Sequence, residues 1–189
     1  MGTQHELDMM LAAGDCTVQI YETVLWVEPD GRKTVWGFTM KRETPLDVKA
    51  IHPNDQSIFM HGTVSSVLAL QEKGIIHDDI KPANMLLCSD GKIRLCDFAE
   101  SGLLSEDPAD WEGMTTTNYV SPHRCQTNSN WPDDWDLAPV VEDDLFALGL
   151  SIRELWSGRC HLKMCMQMIF GKWSKQGRLL MLAGFRMRL

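Results

Sequence analysis

The feature that most constrains this 189-residue chain is a polar run at 77–84, HDDIKPAN, followed thirteen positions later by Asp97. The run places a carboxylate (Asp79), an ammonium group (Lys81) and an amide (Asn84) within six residues. Phosphoryl transfer needs a carboxylate to orient the attacking hydroxyl, a cation for the moving phosphate, and an amide plus a second carboxylate for Mg²⁺. Adjacent acids alone would indicate a solvated turn, but these four groups at these spacings favour a phosphoryl-transfer site.

Hydrophobic periodicity places this run between a helix and a β-hairpin. Apolar residues at helical spacing predict a helix over about 55–73, which ends at Gly74. After the run, apolar residues at 85–88 and 93–96 flank a turn that contains an Asp-Gly pair, which predicts a hairpin. The predicted buried face of the helix comprises Met60, Val64, Val67 and Leu68.

The remaining segments predict a mixture of helices and strands. A short helix is expected at 3–13 and a β-hairpin at 18–40. Thr44–Pro45 interrupts the strand pattern, and 99–141 is rich in Asp, Pro, Ser and Thr, which predicts an extended loop. A last helix is expected to end at Gly158. Its apolar positions are Leu145, Leu148, Ile152, Leu155 and Trp156.

In the order of elements and in motifs, residues 5–158 resemble the Ser/Thr protein kinases, from the end of their αC helix through their αF helix. The run at 77–84 resembles the kinase catalytic loop, H-x-D-x-K-x-x-N, and the D-F-A at 97–99 resembles the D-F-G motif with Ala for Gly. A lysine two positions after the catalytic Asp is the Ser/Thr form of that loop. The resemblance implies an α+β fold, a truncated protein-kinase-like fold with a mainly helical C-lobe and a remnant β-hairpin of the N-lobe.

The same resemblance implies roles for the polar residues. Asp79 would be the catalytic base, and Lys81 would neutralise the transferring phosphate. Asn84 and Asp97 would hold Mg²⁺, so the implied cofactors are ATP and Mg²⁺ and the implied partner is a protein substrate. His77 is interpreted as a packed structural histidine rather than a base.

Nucleotide contacts outside the loop follow from the resemblance as well. Leu86 would lie under the adenine, and Lys41, Arg42 and Glu43 would form the hinge strand whose backbone binds it. Glu6 would be the glutamate of αC. The stack of side chains called the regulatory spine would comprise Met10, Ile20, His77 and Phe98.

The segments that follow the D-F-A motif combine resemblance with departures. The TTNYVSP sequence at 116–122 resembles the end of an activation segment, although His123 replaces its Glu, and Asp144 would tie down the backbone of the catalytic loop from αF. Asp78 replaces the Arg that usually grips an activation-loop phosphate. Because a carboxylate repels phosphate, we expect no activation by phosphorylation at 115–117.

Parts of the kinase pattern are not recognisable in the sequence. No Gly-rich loop and no strand lysine precede Glu6, and helices αG to αI are not evident after Gly158. Lys41 lies only 38 residues before Asp79, which leaves no room for αC between them. Since losing one preorganised donor typically costs ~10²–10³ in rate, we expect this chain to be weakly active or inactive. Two alternatives stay open, a pseudokinase-like protein-binding module and a gene-model fragment.

The net charge of −8 is unevenly distributed. Residues 159–189 carry seven Lys and Arg and no acid, so 1–158 carry −15 (−8 minus +7). This break predicts three regions, an N-lobe remnant at 1–40, a kinase C-lobe-like region at 41–158 and a divergent basic tail at 159–189. The acidic body argues against a nucleic-acid partner.

The cellular location is predicted from the segments that the sequence does not show. No apolar run of spanning length and no leader peptide are visible, so we expect a cytoplasmic protein whose six cysteines are reduced thiols. The tail at 159–189 mixes cations with apolar residues and leaves two interpretations open. It could contact a membrane surface or a calmodulin-like partner, or it could be a mispredicted or frame-shifted terminus.

Overall fold

The computed structural model describes residues 2–106, 116, 118–122, 124 and 139–159. The helices among them are α1 (Gly2–Ala13), α2 (Gln56–Glu72) and α3 (Val141–Ser157). The strands are β1 (Ile20–Val27), β2 (Lys33–Met40), β3 (Thr44–Pro45), β4 (Ile75–Ile76), β5 (Met85–Leu87), β6 (Ile93–Leu95) and β7 (Gly102–Leu103). The α+β fold is therefore confirmed, whereas the predictions for 160–189 and for Thr115, Thr117 and His123 concern residues outside the described ones.

Strands β1 and β2 form the predicted N-terminal hairpin. They pair antiparallel with Leu25 opposite Val35. Gly31 closes the turn at a φ of 87°, a conformation that favours glycine, and its N–H donates to the carbonyl of Glu28 at 2.9 Å. Helix α1 lies against β2. Large apolar side chains stay exposed on the hairpin, namely Tyr21, Leu25, Trp26, Val27 and Trp36.

Two small sheets differ from the sequence prediction. Thr44–Pro45, predicted only as a break, forms β3 at the edge of an antiparallel sheet ordered β3-β5-β6, a position where proline is tolerated. Gly102–Leu103, predicted as loop, forms β7 and pairs with β4. A strand of two residues is too short for a period-2 pattern, so periodicity could not reveal either pairing.

The core lies where α2 packs against α3 and against β6. Its fully buried apolar side chains include Val67, Leu70, Ile75, Ile80, Met85, Leu95, Phe98 and Leu155. Full burial of a side chain of this size contributes roughly 1.5–3 kcal/mol relative to leaving it exposed. The residues that flank the catalytic motif therefore anchor it to the most buried part of the molecule.

The buried face of α2 differs from the predicted one. The helix buries Thr63, Ser66, Val67 and Leu70, whereas Leu68 is 46 % exposed. Ser66 donates to the carbonyl of Ile93, and the Thr63 hydroxyl lies 3.6 Å from the Met85 sulfur. These contacts satisfy both hydroxyls, so small polar residues can lie at the α2–β6 interface without an unpaired buried group.

Two helical glycines should respond in opposite directions to alanine. Gly149 of α3 has no atom within 4 Å of an added Cβ, so Gly149→Ala should raise the free energy of unfolding by about 1 kcal/mol through helix propensity. At Gly62 of α2 the Cβ would lie 2.9 Å from Cγ1 of Ile93, and overpacking typically costs about 1–3 kcal/mol. Urea denaturation should therefore show Gly149→Ala stabilised and Gly62→Ala unchanged or destabilised. Equal stabilisation of both would contradict the close α2–β6 packing.

Helix α3 ends as predicted, at Gly158. This residue has a φ of 63°, and its N–H donates to the carbonyl of Glu154 at 2.9 Å. Every residue described belongs to one compact unit, Met1–Arg159. The division into 1–40, 41–158 and 159–189 stays a prediction. Within the described part of the chain, no helix is both long and apolar enough to cross a membrane.

Candidate active site

Two predicted catalytic side chains and one predicted metal ligand meet at one point. The Asp79 carboxylate accepts a hydrogen bond from the Lys81 ammonium group at 2.5 Å and from the Asn84 amide at 2.9 Å, both at Oδ2. Asn84 also donates to the Asp79 carbonyl at 3.0 Å. All three follow directly on β4 and precede β5, so one short loop positions them. The arrangement holds a carboxylate and a cation side by side, as phosphoryl transfer requires.

The loop backbone is held from α3. The Asp144 carboxylate accepts the N–H of His77 at 2.9 Å and the N–H of Asp78 at 3.0 Å. Asp78 has a φ of 56°, in the left-handed region that side chains other than glycine rarely adopt. Two hydrogen bonds from the backbone to the Asp144 side chain thus fix the strained turn that presents Asp79. The predicted anchoring of the loop by Asp144 is present in the structure.

His77 is a packed residue of the core, as predicted. Its ring lies 4.8 Å from the ring of Phe98, centroid to centroid, and both side chains are fully buried. Nδ1 accepts the N–H of Asp79 at 3.3 Å, and Nε2 lies 3.2 Å from the carbonyl of Cys96. Burial lowers the pKa of His77 to about 4, so the imidazole is neutral at physiological pH. Met10 and Phe98 share the core cluster, and Ile20 packs against it, which places all four predicted spine residues in one region.

The predicted metal corner has the right donors. Asp97 is exposed and has a φ of 66°, which turns the chain immediately before buried Phe98. The Asn84 amide nitrogen is committed to Asp79, which leaves its side-chain oxygen for a cation. Carboxylate and amide oxygens are ligands suited to Mg²⁺, so Asn84 and Asp97 fit the ion chemically.

Glu6 of α1 lies beside this corner. Burial raises the pKa of its carboxyl, and the nearby Asp97 charge raises it further, while a hydrogen bond from the backbone of Phe98 opposes the shift. The predicted αC glutamate therefore contacts the segment that carries the predicted metal ligand Asp97. His5 next to it also reaches this segment, since its Nε2 lies 2.7 Å from the carbonyl of Ser101.

Comparison with known proteins agrees with this geometry. Residues 37–173, which are 137 of the 189, match the protein kinase domain family. This chain belongs to the protein kinase family. The match begins inside β2 and extends past Gly158, so it covers the catalytic loop, the metal corner and α3.

Relatives of this kinase domain include mitogen-activated protein kinase kinases. It is 36% identical over 103 residues to human dual specificity mitogen-activated protein kinase kinase 7, which is 54% of this chain and 24% of that protein. It is 39% identical over 85 residues to mek-2 of Caenorhabditis elegans, 45% of this chain and 19% of that protein. It is 35% identical over 95 residues to the MAP kinase kinase skh1/pek1 of Schizosaccharomyces pombe, which is 50% of this chain and 23% of that protein. The chain spans about a quarter of the length of these relatives.

The predicted hinge of the kinase domain connects β2 to β3. Lys41 and Glu43 form an ion pair at 2.8 Å, and the backbone N–H of Ser89 donates to Glu43 at 2.9 Å. Arg42 is exposed. Leu86, predicted to lie under the adenine, is half-buried in β5 opposite Pro45. The hinge and the β5–β6 hairpin are thus tied together on the side of the site where the adenine is predicted to bind.

Two contacts of the catalytic loop were not predicted. The Thr116 hydroxyl accepts a hydrogen bond from Lys81 at 2.7 Å, and its N–H points at the Asp79 carboxylate at 3.4 Å. Arg124 forms a buried ion pair with Asp78 at 3.3 Å. The motif at 116–122 pointed to this region, but no local pattern pairs residues 35 or 46 positions apart.

The Asp78–Arg124 pair belongs to a buried acidic cluster. Asp143 accepts a hydrogen bond from the Ser121 hydroxyl and another from the N–H of Val140, and Asp144 lies next to it on α3. Burial raises the pKa of Asp144 to about 7. Burial also raises the pKa of Asp78 to about 7, although the Arg124 charge opposes this. Burial is therefore the dominant influence on the pKa of both carboxyls.

Proposed function

We propose that this kinase domain transfers the γ-phosphoryl group of ATP to a hydroxyl group of a protein. The observation that carries the proposal is that Lys81 and Asn84 both donate hydrogen bonds to a single carboxylate oxygen of Asp79. Family membership supports the same chemistry. The chemistry of the donors at Asp97 and Asn84 supports magnesium as the metal. We further propose that the protein acts in the cytoplasm.

Each residue would contribute a separate part of the reaction. Asp79 orients the substrate hydroxyl and takes up its proton as the bond to phosphorus forms. Lys81, held 2.5 Å from Asp79, places its positive charge where the phosphoryl group moves. Asn84 and Asp97 would hold the metal, which neutralises phosphate charge when bound. Asn84 also orients Asp79, because its amide donates to the carboxylate and to the carbonyl of that residue.

The relatives suggest which substrate to test first. Three of them are named dual specificity mitogen-activated protein kinase kinase 7, in human, rat and mouse. We propose a mitogen-activated protein kinase as the substrate of this domain. The test is transfer of labelled phosphate from ATP to such a protein. A rate equal to that with a generic protein substrate would argue against this specificity.

We expect slow transfer by these 189 residues alone. No Gly-rich loop or strand lysine precedes Glu6 in them. Kinases typically turn over at about 1–100 s⁻¹, and the loss of one preorganised donor typically costs ~10²–10³. Rates on the order of 10⁻³–1 s⁻¹ are therefore expected. Transfer at ordinary kinase rates would contradict this proposal of impairment.

A protein-binding role is the second candidate. The β1–β2 hairpin favours it, because Trp26 is 56% exposed and Trp36 is 74% exposed. Contiguous exposed apolar side chains mark interaction surfaces in soluble proteins. Such a module would use the hairpin surface and would not need a nucleotide.

Nucleotide binding separates the two candidates. If the site binds Mg²⁺·ATP, the complex at 100 times its Kd should be about 2.7 kcal/mol more stable towards unfolding than the free chain. A thermal-shift titration would measure this gain, and Asp97→Asn should reduce it because the metal loses a charged ligand. Asp90→Asn, at an exposed hairpin acid, is the matched control and should keep the full shift. No shift at millimolar nucleotide would favour the binding module.

A further inference from the structure

Asp78 and Arg124 form an ion pair that is almost completely buried. Each side chain is only 3% exposed, and the guanidinium nitrogen lies 3.3 Å from one carboxylate oxygen and 3.4 Å from the other. The two residues are 46 positions apart in sequence. Removing water from two charges is costly, and only close pairing with further hydrogen bonds repays it. The pair therefore constrains the two segments that carry it.

One of these segments is the catalytic loop. Asp78 precedes the proposed base Asp79, and its N–H is fixed by Asp144 at 3.0 Å. The other segment runs alongside the reaction site. Arg124 donates its N–H to the Ser121 hydroxyl at 3.2 Å, and that hydroxyl donates to Asp143 of α3. Both segments are therefore anchored on the first turn of α3, with the ion pair between them.

The carboxylate of Asp78 disfavours a phosphate group next to the Asp78–Arg124 pair. A carboxylate there repels an anion, and Arg124 is already neutralised by it. At the upstream end of the same segment, Thr116 contacts both Asp79 and Lys81. The side chains of Arg124 and Asp78 thus join the two segments. No unpaired positive charge remains at this pair for a phosphate group to neutralise.

We propose that Asp78 and Arg124 are positioning residues that clamp the described residues Thr116, 118–122 and Arg124 onto the catalytic loop without phosphorylation. Their effect on catalysis would rest on the proposed function, because they act through Asp79 and the substrate hydroxyl. Their effect on the order of the two segments does not depend on it. The clamp is expected to be closed in the unphosphorylated chain.

Hydrogen exchange of the whole 189-residue chain tests the clamp directly. In Asp78→Asn and in Arg124→Met, the amides of His77, Asp78 and Tyr119 should exchange at least about tenfold faster, which corresponds to ~1.4 kcal/mol of lost local protection. Amides in the middle of α2 should keep their wild-type rates. Asp90→Asn, which breaks the exposed pair with Arg94 at 2.7 Å, is the matched control and should change none of these rates. Uniform acceleration everywhere would show a merely structural pair and would overturn the proposal.

A double variant covers the case in which a single variant fails to fold. Asp78→Asn combined with Arg124→Met removes both charges of the pair, so neither partner is left buried with an unpaired charge, and the double variant should fold. It should still lose the local protection of the catalytic loop. Wild-type exchange rates in the double variant would overturn the clamp. Phosphatase treatment of the wild-type chain should leave the rates unchanged, and a tenfold acceleration after treatment would overturn its independence from phosphate.

Kinetics separate this proposal from the proposed function. If the chain transfers phosphate, Arg124→Met should lower kcat about tenfold and leave the KM for ATP unchanged, because the clamp lies on the substrate side. An unchanged kcat would remove the catalytic part of the proposal. If the wild-type chain transfers no phosphate while the exchange results are as expected, the proposed function fails and the clamp stands.

Discussion

Replacing Asp79 with Asn is expected to slow phosphoryl transfer by ~10²–10⁴ while leaving Mg²⁺·ATP binding unchanged. The amide has nearly the shape of the carboxylate but cannot take up the proton of the attacking hydroxyl. Its NH₂ group would also face donors where Oδ2 now accepts from Lys81 at 2.5 Å and from Asn84 at 2.9 Å. The proposed metal ligands, Asn84 and Asp97, remain in place. The loss should therefore appear in the rate and not in the affinity for nucleotide.

The measurement is transfer of labelled phosphate at millimolar ATP over long incubations, because the wild-type rate is itself expected to be low. Asp8→Asn is the matched control, since Asp8 is an exposed acid of α1 that only accepts a hydrogen bond from Gln4 at 2.8 Å. It should keep the wild-type rate. If Asp79→Asn transfers phosphate as fast as the wild type, then Asp79 is not the base, or the measured transfer comes from another kinase in the preparation.

The parts of the site that could be predicted are those encoded by local spacing. Asp79, Lys81 and Asn84 lie within six residues, so the sequence itself brings them together once the loop forms. Asp144 was predicted from its position at the start of α3, because the family resemblance supplied a long-range contact that spacing could not. The roles of Leu86, Lys41, Arg42 and Glu43 in binding adenine stay predictions.

The parts that could not be predicted depend on contacts between distant segments. Neither Thr116 near Lys81 nor Arg124 against Asp78 has a local signal, since each contact joins separate loops. The sequence suggested that Asp78 would repel phosphate, but its buried partner became evident only from the structure. The fold uses the carboxylate at this position in an ion pair with Arg124.

The prediction of which helix residues are buried was also partly wrong, because burial depends on contacts between distant segments. Leu68 was predicted on the buried face of α2, and Trp156 was among the apolar positions predicted for α3, yet they are 46% and 65% exposed. The helices instead bury small polar residues such as Ser66 and Ser151, whose hydroxyls donate to backbone carbonyls. Hydrophobicity ranks leucine and tryptophan first, but the closest approach of α2 to β6 is made by small residues, Gly62 and Ser66. Close packing thus outweighed hydrophobicity at these interfaces.

Asp144→Ala is expected to lower the free energy of unfolding by about 2–6 kcal/mol, because it leaves two buried N–H groups, those of His77 and Asp78, without acceptors at about 1–3 kcal/mol each. The matched control is Glu142→Ala, an exposed acid in the first turn of the same helix, which should cost below about 1 kcal/mol. Urea denaturation at pH 5 measures both. A loss of equal size in the two variants would mean that Asp144 acts through the helix dipole rather than through the loop.

The difference in the free energy of unfolding between the wild type and Asp144→Ala should also become smaller as the pH rises. Burial raises the pKa of Asp144 to about 7 in the folded chain, against an ordinary value near ~3.9 in the unfolded chain. Between these values the folded state binds the extra proton, so the stability that Asp144 contributes is fully present at low pH and is lost as the pH rises towards 7. The slope from Asp144 itself is at most about 1.4 kcal/mol per pH unit. The Asp144 charge also raises the pKa of Asp78, so its removal narrows the difference in the same direction. A difference that instead widens from pH 5 to pH 8 would show that the two backbone hydrogen bonds keep the Asp144 carboxylate ionised.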